Sequence, residues 1–425
     1  MESELNAKND ESIPEPTDAG HIDGSDLIRV GLVGCGGRGS GAALQALNTE
    51  GPVQLVAMAD LFEDRLNSAV KHLGARMATR PERFDVPPER QFSGFDGIDR
   101  VLECDVDVVL LTTPPGFRPE HFEKAVAAKK HIFMEKPVAT DIFGIKRVMT
   151  AAQKAKKHQL RIGVGFQQRH HPSYIEAAKR LRDGVIGRPL FWKAYYNSFG
   201  VWEPRRTRQQ CRNELEYQQR NWYYYTWLSG DHLVEQHIHQ IDAVCWFQGA
   251  YPERARGMGG RQVRTAPRYG QIYDHFNIDY EFADGTHYIS QCRHNPSTWT
   301  KVGTACQGTN GSFETVRYRE CRFFTNGKKS RVKSVANAYQ LEHDALFAAI
   351  RDNRLHHEIE YGAQSTLTAI LGRMAAYTGR ELSIRDVLAS EEQLVPNTVD
   401  WSTDPPIAPD EQGRYPVPMP GIYHI

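Results

Sequence analysis

The sequence "RVGLVGCGGRGSGAALQAL", residues 29–47, places a cluster of glycines between a short apolar run and a segment of helical composition. Glycine loses more conformational entropy on folding than other residues, so this density indicates backbone that turns sharply or is approached closely. Gly34, Gly36 and Gly39 have GxGxxG spacing. Between a strand and a helix, the first permits the turn, the second lets a pyrophosphate touch the backbone, and the third lets helix and strand pack. The stretch therefore predicts a dinucleotide-binding turn, and a glycine-rich turn that binds no nucleotide is the alternative.

The following strand indicates which dinucleotide is expected. "VQLVAMAD", residues 53–60, ends at Asp60, 21 residues after Gly39. A carboxylate there accepts hydrogen bonds from the adenosine ribose hydroxyls and repels a 2′-phosphate, so the sequence favours NAD over NADP. The helix that begins near Gly37 and Arg38 presents free amides and a positive dipole end to the phosphates.

Strands and helices alternate from residue 27 onward, which predicts βαβ units with right-handed crossovers. The expected fold is an α/β Rossmann domain over residues 27–166. Ligands of such sheets bind beyond the carboxyl ends of the strands. Because "TTPP" follows the fourth strand, Thr112, Thr113 and Pro114 are expected to flank the nicotinamide ribose, and an ordinary proline-terminated strand end is the alternative.

The second half has a different pattern, with long strands joined by hairpin turns at Asp284-Gly285 and Asn326-Gly327. It predicts an α+β domain over residues 167–394, with a large, mostly antiparallel open sheet and a helix over residues 230–247. Residues 1–26 are acidic and polar and predict a disordered tail. Residues 395–425 contain seven prolines and predict an extended arm, which either is a loose surface tail or clasps another subunit.

Bulk composition excludes several protein classes. The 52 basic and 52 acidic residues balance, which argues against binding of nucleic acid or an anionic membrane through overall positive charge. No apolar run is long enough to span a bilayer, and no secretory signal is evident. Seven scattered cysteines without a CxxC pair favour reduced thiols. A cytoplasmic location is expected, and a periplasmic form that has lost its leader is the alternative.

"MEKPVATD" (residues 134–141) ends another strand and, with "TTPP", "EHFEKAVAAKKHIFMEKPVA" and "GVIGRPLFWKAYY", resembles the Gfo/Idh/MocA family of sugar and cyclitol oxidoreductases. The resemblance covers about residues 27–385. It implies that Lys136 lies against the nicotinamide and the reacting hydroxyl, where a cation polarises the oxygen and stabilises developing negative charge. Glu135 and Gln168 are expected to join the cofactor contacts.

"GDHLVEQHIHQIDAVCW" (residues 230–246) carries the acidic residue, histidine and aspartate of the family pattern at Glu235, His239 and Asp242. The resemblance implies that His239 is the general base, since a neutral imidazole titrates in the right range. Glu235 would orient the substrate or His239. Helical spacing is expected to place Asp231, His232, Glu235, His239 and Asp242 on one face. A zinc site formed by Asp231, His232, Glu235 and His239 is an alternative; the family chemistry needs no metal.

Residues 201–227 are rich in arginine and aromatic residues, which suit a sugar or a carboxylate. A subunit-interface loop is a comparable alternative, and single-stranded nucleic acid is a remote one. The expected substrate contacts are Arg169, Tyr223, Tyr225, His232 and Asp242.

These expectations combine into an NAD-dependent oxidoreductase, forming a homodimer or homotetramer, that acts on a secondary hydroxyl of a sugar, glycoside or cyclitol. Two alternatives remain: an NAD-dependent glycoside hydrolase that works by transient oxidation and elimination, and a non-catalytic NAD and sugar sensor. The sugar, the carbon oxidised and the physiological direction do not follow from the sequence.

Overall fold

A computed structural model describes residues 26–425 of the chain. The expected disordered tail therefore lies, apart from Asp26, outside the described residues. The first sheet has six parallel strands in the order β3-β2-β1-β4-β5-β6. Its strands are β1 Ile28–Val33, β2 Val53–Asp60, β3 Gln91–Ser93, β4 Val108–Leu111, β5 His131–Met134 and β6 Ile162–Val164.

Five helices of this first part of the chain alternate with the strands, as expected for a Rossmann domain. They are α1 Gly37–Leu47, α2 Glu63–Arg76, α3 Gly97–Glu103, α4 Arg118–Ala127 and α5 Ile142–Lys157. The strands β1, β4 and β5 are almost wholly buried, because helices cover both faces of a parallel sheet. Strand β1 lies between β2 and β4, so the chain reverses direction across the sheet beside the glycine turn.

The second sheet has nine strands in the order β14-β13-β12-β11-β7-β10-β9-β8-β15. All described pairings in it are antiparallel except that of β7 with β10. This confirms the expected α/β domain followed by a large, mostly antiparallel sheet. The strands are β7 Pro189–Ser198, β8 Arg254–Gly260, β9 His275–Glu281, β10 His287–His294, β11 Lys301–Gly308, β12 Gly311–Val316, β13 Glu320–Thr325, β14 Lys328–Lys333 and β15 Leu382–Ser383.

The remaining helices lie on one face of this sheet or bridge to the first one. They are α6 Pro172–Arg182, α7 Glu214–Arg220, α8 Thr226–Ser229, α9 Ile238–Gln248, α10 Ala338–Arg351, α11 Ile359–Thr378 and α12 Ile384–Ala389. Helix α10 packs on α1, where Leu346 and Phe347 join the apolar cluster behind β1. The first sheet is therefore covered in part by a helix from the far end of the sequence.

The helix expected over residues 230–247 begins later than predicted. Gly230 and Asp231 have left-handed backbone, with φ of 79° and 74°, and lie before the helix. A π-helical turn over Leu233–His237 then leads into α9. A π turn advances less per residue than an α turn, so the expected single face from Asp231 to Asp242 does not form.

A third apolar cluster joins residues 201–227, the C-terminal arm and the edge of the first domain. Tyr223, Tyr224 and Tyr225 are buried in it. Tyr415 and Trp401 of the arm pack against this cluster, so the arm contacts the body of the same chain. Among residues 26–425, no helix combines the length and the apolar character that crossing a membrane requires.

Candidate active site

The glycine turn after β1 has the shape that a dinucleotide needs. Gly34 has φ of 101°, and a Cβ at Gly39 would lie 1.8 Å from the Gly34 carbonyl oxygen. The Thr112 hydroxyl donates to that oxygen over 2.6 Å and fixes the turn to the end of β4. At Gly36 and Gly37, by contrast, an added Cβ would meet no atom within 4 Å. The backbone is therefore bare and open where a pyrophosphate would approach, so these residues fit the group.

Asp60, at the end of β2, closes the other side of the turn. Its carboxylate accepts hydrogen bonds from the backbone N–H groups of Cys35 at 2.7 Å and Phe62 at 2.9 Å. Burial raises the pKa of Asp60, and the two N–H donors oppose that rise. The carboxylate thus fixes the glycine turn and lines the cavity in which an adenosine ribose would lie.

A cavity of about 470 Å³ runs along this edge of the sheet, a volume in the usual range for small-molecule sites. The glycine turn, Asp60, Thr113 and Pro114 form one side of it. Distant parts of the chain also line the cavity, namely Trp202, Arg205, Gln219, Trp222 and residues 397–399.

A second cavity, of about 220 Å³, adjoins the first and shares Arg38, Thr112, Thr113 and Trp222 with it. Lys136, from the end of β5, lines it together with Glu235 and His239. Glu235 comes from the π turn and His239 from the first turn of α9. Residues about a hundred positions apart in sequence therefore meet beside the dinucleotide cleft.

Lys136 and Glu235 make the central contact of this second cavity. The Lys136 ammonium donates to the Glu235 carbonyl oxygen over 2.7 Å and lies 3.2 Å from its carboxylate Oε1. Both side chains are largely buried, so the charge pair is weakly screened. The other carboxylate oxygen, Oε2, is buried without a partner among the described residues, which leaves an acceptor for a ligand hydroxyl.

His239 is held neutral by its surroundings. Burial lowers its pKa well below the usual value, and the positive charges of Lys136 and Arg38 lower it further. Its Nδ1 is buried and has no hydrogen-bond partner in the described part of the chain. The ring packs edge-on against Phe166 at 6.3 Å. The site therefore contains an unprotonated imidazole with a free nitrogen.

Arg38 and Glu135, both expected cofactor contacts, bind each other. The Arg38 guanidinium also lies 3.2 Å from Glu342 and 4.8 Å above the ring of Tyr339, both in α10. Arg38 thus joins the glycine turn to the helix that covers it. Gln168 is buried, and its side-chain amide has no partner among the described residues.

The structure does not bring the expected substrate contacts to the cavities. Arg169 forms a buried ion pair with Asp242 at 2.8 Å. His232 packs against His294, with ring centroids 4.2 Å apart, and pairs with Asp231. Tyr223 and Tyr225 belong to the aromatic cluster. None of these five side chains lines either cavity, and each has polar or apolar partners in the protein interior.

The zinc alternative lacks its ligand geometry. The Asp231 carboxylate accepts hydrogen bonds from the Tyr273 backbone N–H and from the Tyr377 hydroxyl. No group of three or more histidine, cysteine or acidic residues within residues 26–425 is arranged to hold a metal ion.

Several residues of the small cavity were not found from the sequence. Gln167 and Gln236 are adjacent in sequence to predicted site residues, whereas Tyr339 and Arg118 belong to no recognisable local motif. Gln167 donates to the Tyr339 hydroxyl over 3.1 Å, and Gln236 donates to the Tyr196 hydroxyl over 2.8 Å. Trp222 of the arginine-rich and aromatic segment does line both cavities.

Two family models match the chain. One, described as an oxidoreductase family with an NAD-binding Rossmann fold, matches residues 28–166. The other, the GFO/IDH/MocA C-terminal domain, matches residues 174–314. The first domain is therefore an NAD-binding Rossmann domain.

Individual proteins agree with these matches. The inositol 2-dehydrogenase of Acidothermus cellulolyticus is 26% identical over 239 residues, 56% of this chain and 59% of that protein. The 2,7-anhydro-N-acetylneuraminate hydratase of Escherichia coli is 29% identical over 235 residues, 54% of this chain and 57% of that protein. The match thus spans less than two thirds of either relative. A levoglucosan dehydrogenase solved with NADH and levoglucosan has the same fold, with a TM-score of 0.67, 17% identity, and coverage of 84% of this chain and 99% of that one.

Proposed function

The chain belongs to the Gfo/Idh/MocA oxidoreductase family, and from that premise we propose that it moves a hydride between a secondary hydroxyl carbon of a sugar, glycoside or cyclitol and NAD. The observation that carries the proposal is the convergence of Lys136 and His239 in one cavity beside the dinucleotide cleft. Bound NAD supplies the hydride acceptor. The protein residues hold the substrate, move its proton and stabilise the charge that develops.

His239 takes the hydroxyl proton. Its pKa lies well below the ordinary range, so the imidazole is unprotonated at neutral pH and can accept a proton. As the carbon loses hydride, the hydroxyl proton passes to this nitrogen and the C–O bond becomes a carbonyl. In the reverse direction, the same imidazole returns the proton to the oxygen.

Lys136 stabilises the oxygen as it loses its proton. Its ammonium is fixed by the Glu235 backbone and carboxylate, so little reorganisation is needed when negative charge develops nearby. The pairing with Glu235 holds a buried cation in place without exposing it to water.

The substrate class follows from the free acceptors and the cavity size. Glu235 and Gln167 line the small cavity, and each keeps one buried acceptor oxygen without a partner in the described residues, namely Glu235 Oε2 and Gln167 Oε1. Such acceptors suit a molecule with several hydroxyl donors. A cavity of about 220 Å³ fits a single sugar or cyclitol ring, in agreement with the relative that is named an inositol 2-dehydrogenase.

A second candidate, a redox-neutral reaction on the same residues, is favoured by the relative named a hydratase. Here the substrate is oxidised transiently, loses or gains a group next to the carbonyl, and is reduced again. Lys136 and His239 would keep the same tasks, and NADH would not accumulate.

To test these proposals, the protein is incubated with NAD and a panel of inositols, aldoses and anhydro sugars. NADH absorbance is followed, and the products are analysed. A dehydrogenase forms about one NADH for each product molecule. Product without NADH supports the redox-neutral reaction and contradicts net oxidation. NAD binding without product from any polyol contradicts both and supports a sensor.

A further inference from the structure

The C-terminal arm, residues 395–425, contributes to the wall of the cofactor cleft. It lies outside both regions matched by the family models, which end at residue 314. Asn397, Thr398 and Val399 nevertheless line the 470 Å³ cavity together with the glycine turn and Asp60. No arm residue lines the smaller cavity that contains Lys136.

The arm meets the cleft at its adenosine end. Asp60, Phe62 and residues 94–97 surround that end of the cavity, because β2 and β3 end there. The nicotinamide end lies toward Thr112 and Thr113, which the smaller cavity shares. Asn397 and Thr398 are exposed and Val399 is half-buried, so their surfaces are free to meet a ligand.

Trp401 holds the arm in this position. Its ring packs edge-on against Phe95 with centroids 4.9 Å apart and lies 6.0 Å from Phe62. On the other side, the Arg212 guanidinium lies 4.1 Å from the ring centroid, and the Asn213 side chain donates to the Trp401 carbonyl oxygen over 3.2 Å. The indole thus links the nucleotide domain to residues 201–227 across the arm.

Both flanks of the cleft-lining segment are anchored as well. On the N-terminal side, the backbone N–H groups of Leu394 and Val395 donate to the Asp141 carboxylate. On the C-terminal side, the Tyr415 hydroxyl accepts from Arg208 at 2.6 Å and from Tyr225 at 3.0 Å. Residues 395–415 are therefore fixed across the cleft at both ends.

We infer that residues 397–399, held by Trp401, form a third wall of the adenosine subsite and slow the departure of NAD and NADH. A cofactor seated in this cleft makes contact with the arm, and its adenosine end leaves only when the arm lifts. The inference rests on the NAD site and is independent of which hydroxyl is oxidised.

The test compares NADH dissociation in the full-length protein and in arm variants. NADH is displaced by excess NAD in a stopped-flow instrument, and its fluorescence gives the dissociation rate. Trp401→Ala removes two aromatic contacts and one cation–π contact, so the rate is expected to rise about tenfold or more. Met419→Ala, at an exposed arm position outside the cavity, is the matched control and is expected to leave the rate unchanged.

Thr398→Ala provides a second variant, because Thr398 lines the cavity and is exposed, so the change removes cleft surface and leaves the Trp401 anchor intact. It is expected to weaken NADH affinity several-fold, measured by titration calorimetry, with an unchanged thermal unfolding midpoint. Wild-type rates and affinities in both variants would overturn the inference. If the arm variants release NADH faster and the wild-type protein oxidises no polyol, the proposed function fails and the inference stands.

Discussion

At the scale of single residues, the proposed chemistry depends on Lys136. Its ammonium is fixed by Glu235 and faces the same cavity as His239. Lys136→Met is expected to lower kcat/KM about 10²–10³-fold, because a preorganised charge at the reacting oxygen is lost. NADH affinity is expected to stay within about threefold, since the glycine turn and Asp60 are untouched. Steady-state kinetics and calorimetry measure the two quantities.

Lys154→Met is the matched control, because Lys154 is exposed on α5 far from the cavity. Wild-type turnover in Lys136→Met would contradict the role given to Lys136. Equal losses of turnover and NADH affinity would instead indicate that Lys136 serves cofactor binding.

The protonation state of His239 gives a second residue-scale prediction. Burial and the charges of Lys136 and Arg38 hold its pKa well below 6.5, so the base form persists as the pH falls. The acid limb of kcat/KM for polyol oxidation is expected below pH 6.5, and a pH–rate profile measures it. An acid limb at or above pH 6.5 would mean that His239 is not the base or is not buried.

At the scale of elements, two glycines of the turn after β1 have different roles, one in cofactor approach and one in packing. A Cβ at Gly36 meets open space, whereas a Cβ at Gly39 lies 1.8 Å from the Gly34 carbonyl oxygen. Gly36→Ala is expected to fold normally and to bind NADH at least about tenfold more weakly, because the methyl group occupies the place of the pyrophosphate. Gly39→Ala is expected to lose about 2–3 kcal/mol of unfolding free energy by overpacking.

Denaturant unfolding and NADH titration of both variants provide the check. Unchanged NADH affinity in Gly36→Ala would show that the turn does not bind the pyrophosphate. Unchanged stability in Gly39→Ala would show that α1 and the turn are packed less closely than in the structure.

The same scale shows what the sequence could and could not predict. The first strands and helices could be predicted because Gly34, Gly36 and Gly39 are adjacent in sequence to the strand and the helix that they join. The start of the helix before His239 was not, because Gly230 and Asp231 adopt left-handed backbone and a π turn follows. Those departures are fixed by distant contacts, such as that of the Asp231 carboxylate with the Tyr273 backbone N–H.

At the scale of the whole molecule, long-range packing determines features of the structure that local sequence patterns do not predict. Aromatic residues at 223–225 suit both a sugar site and a core, and the arm that buries them is about 190 residues away. Helix α10 likewise carries no signal that it covers the first sheet and pairs with Arg38. The convergence of Lys136 and His239 was predicted only through family resemblance.

Acid sensitivity is a whole-molecule prediction. Burial lowers the pKa of His121, His237 and His343 to about 3 and that of His131 to about 4. Below pH 6.5 the unfolded chain protonates these imidazoles and the folded chain does not, so stability is lost as the pH falls. Each is expected to cost about 1 kcal/mol at pH 5.5 relative to pH 7.5.

Urea unfolding at both pH values measures this loss. Equal or greater stability at pH 5.5 in the wild-type protein would show that the buried imidazoles are charged or solvated.

The most direct test of hydride transfer uses sugars and inositols that carry deuterium on the carbon atoms that bear their secondary hydroxyls. The protein, with NAD, is allowed a single turnover, and the nicotinamide is analysed by mass spectrometry. We predict that one deuterium per oxidised molecule appears on the nicotinamide in the wild-type protein and that the label is strongly reduced in Lys136→Met. Product that forms while the nicotinamide stays unlabelled would contradict direct transfer at this site.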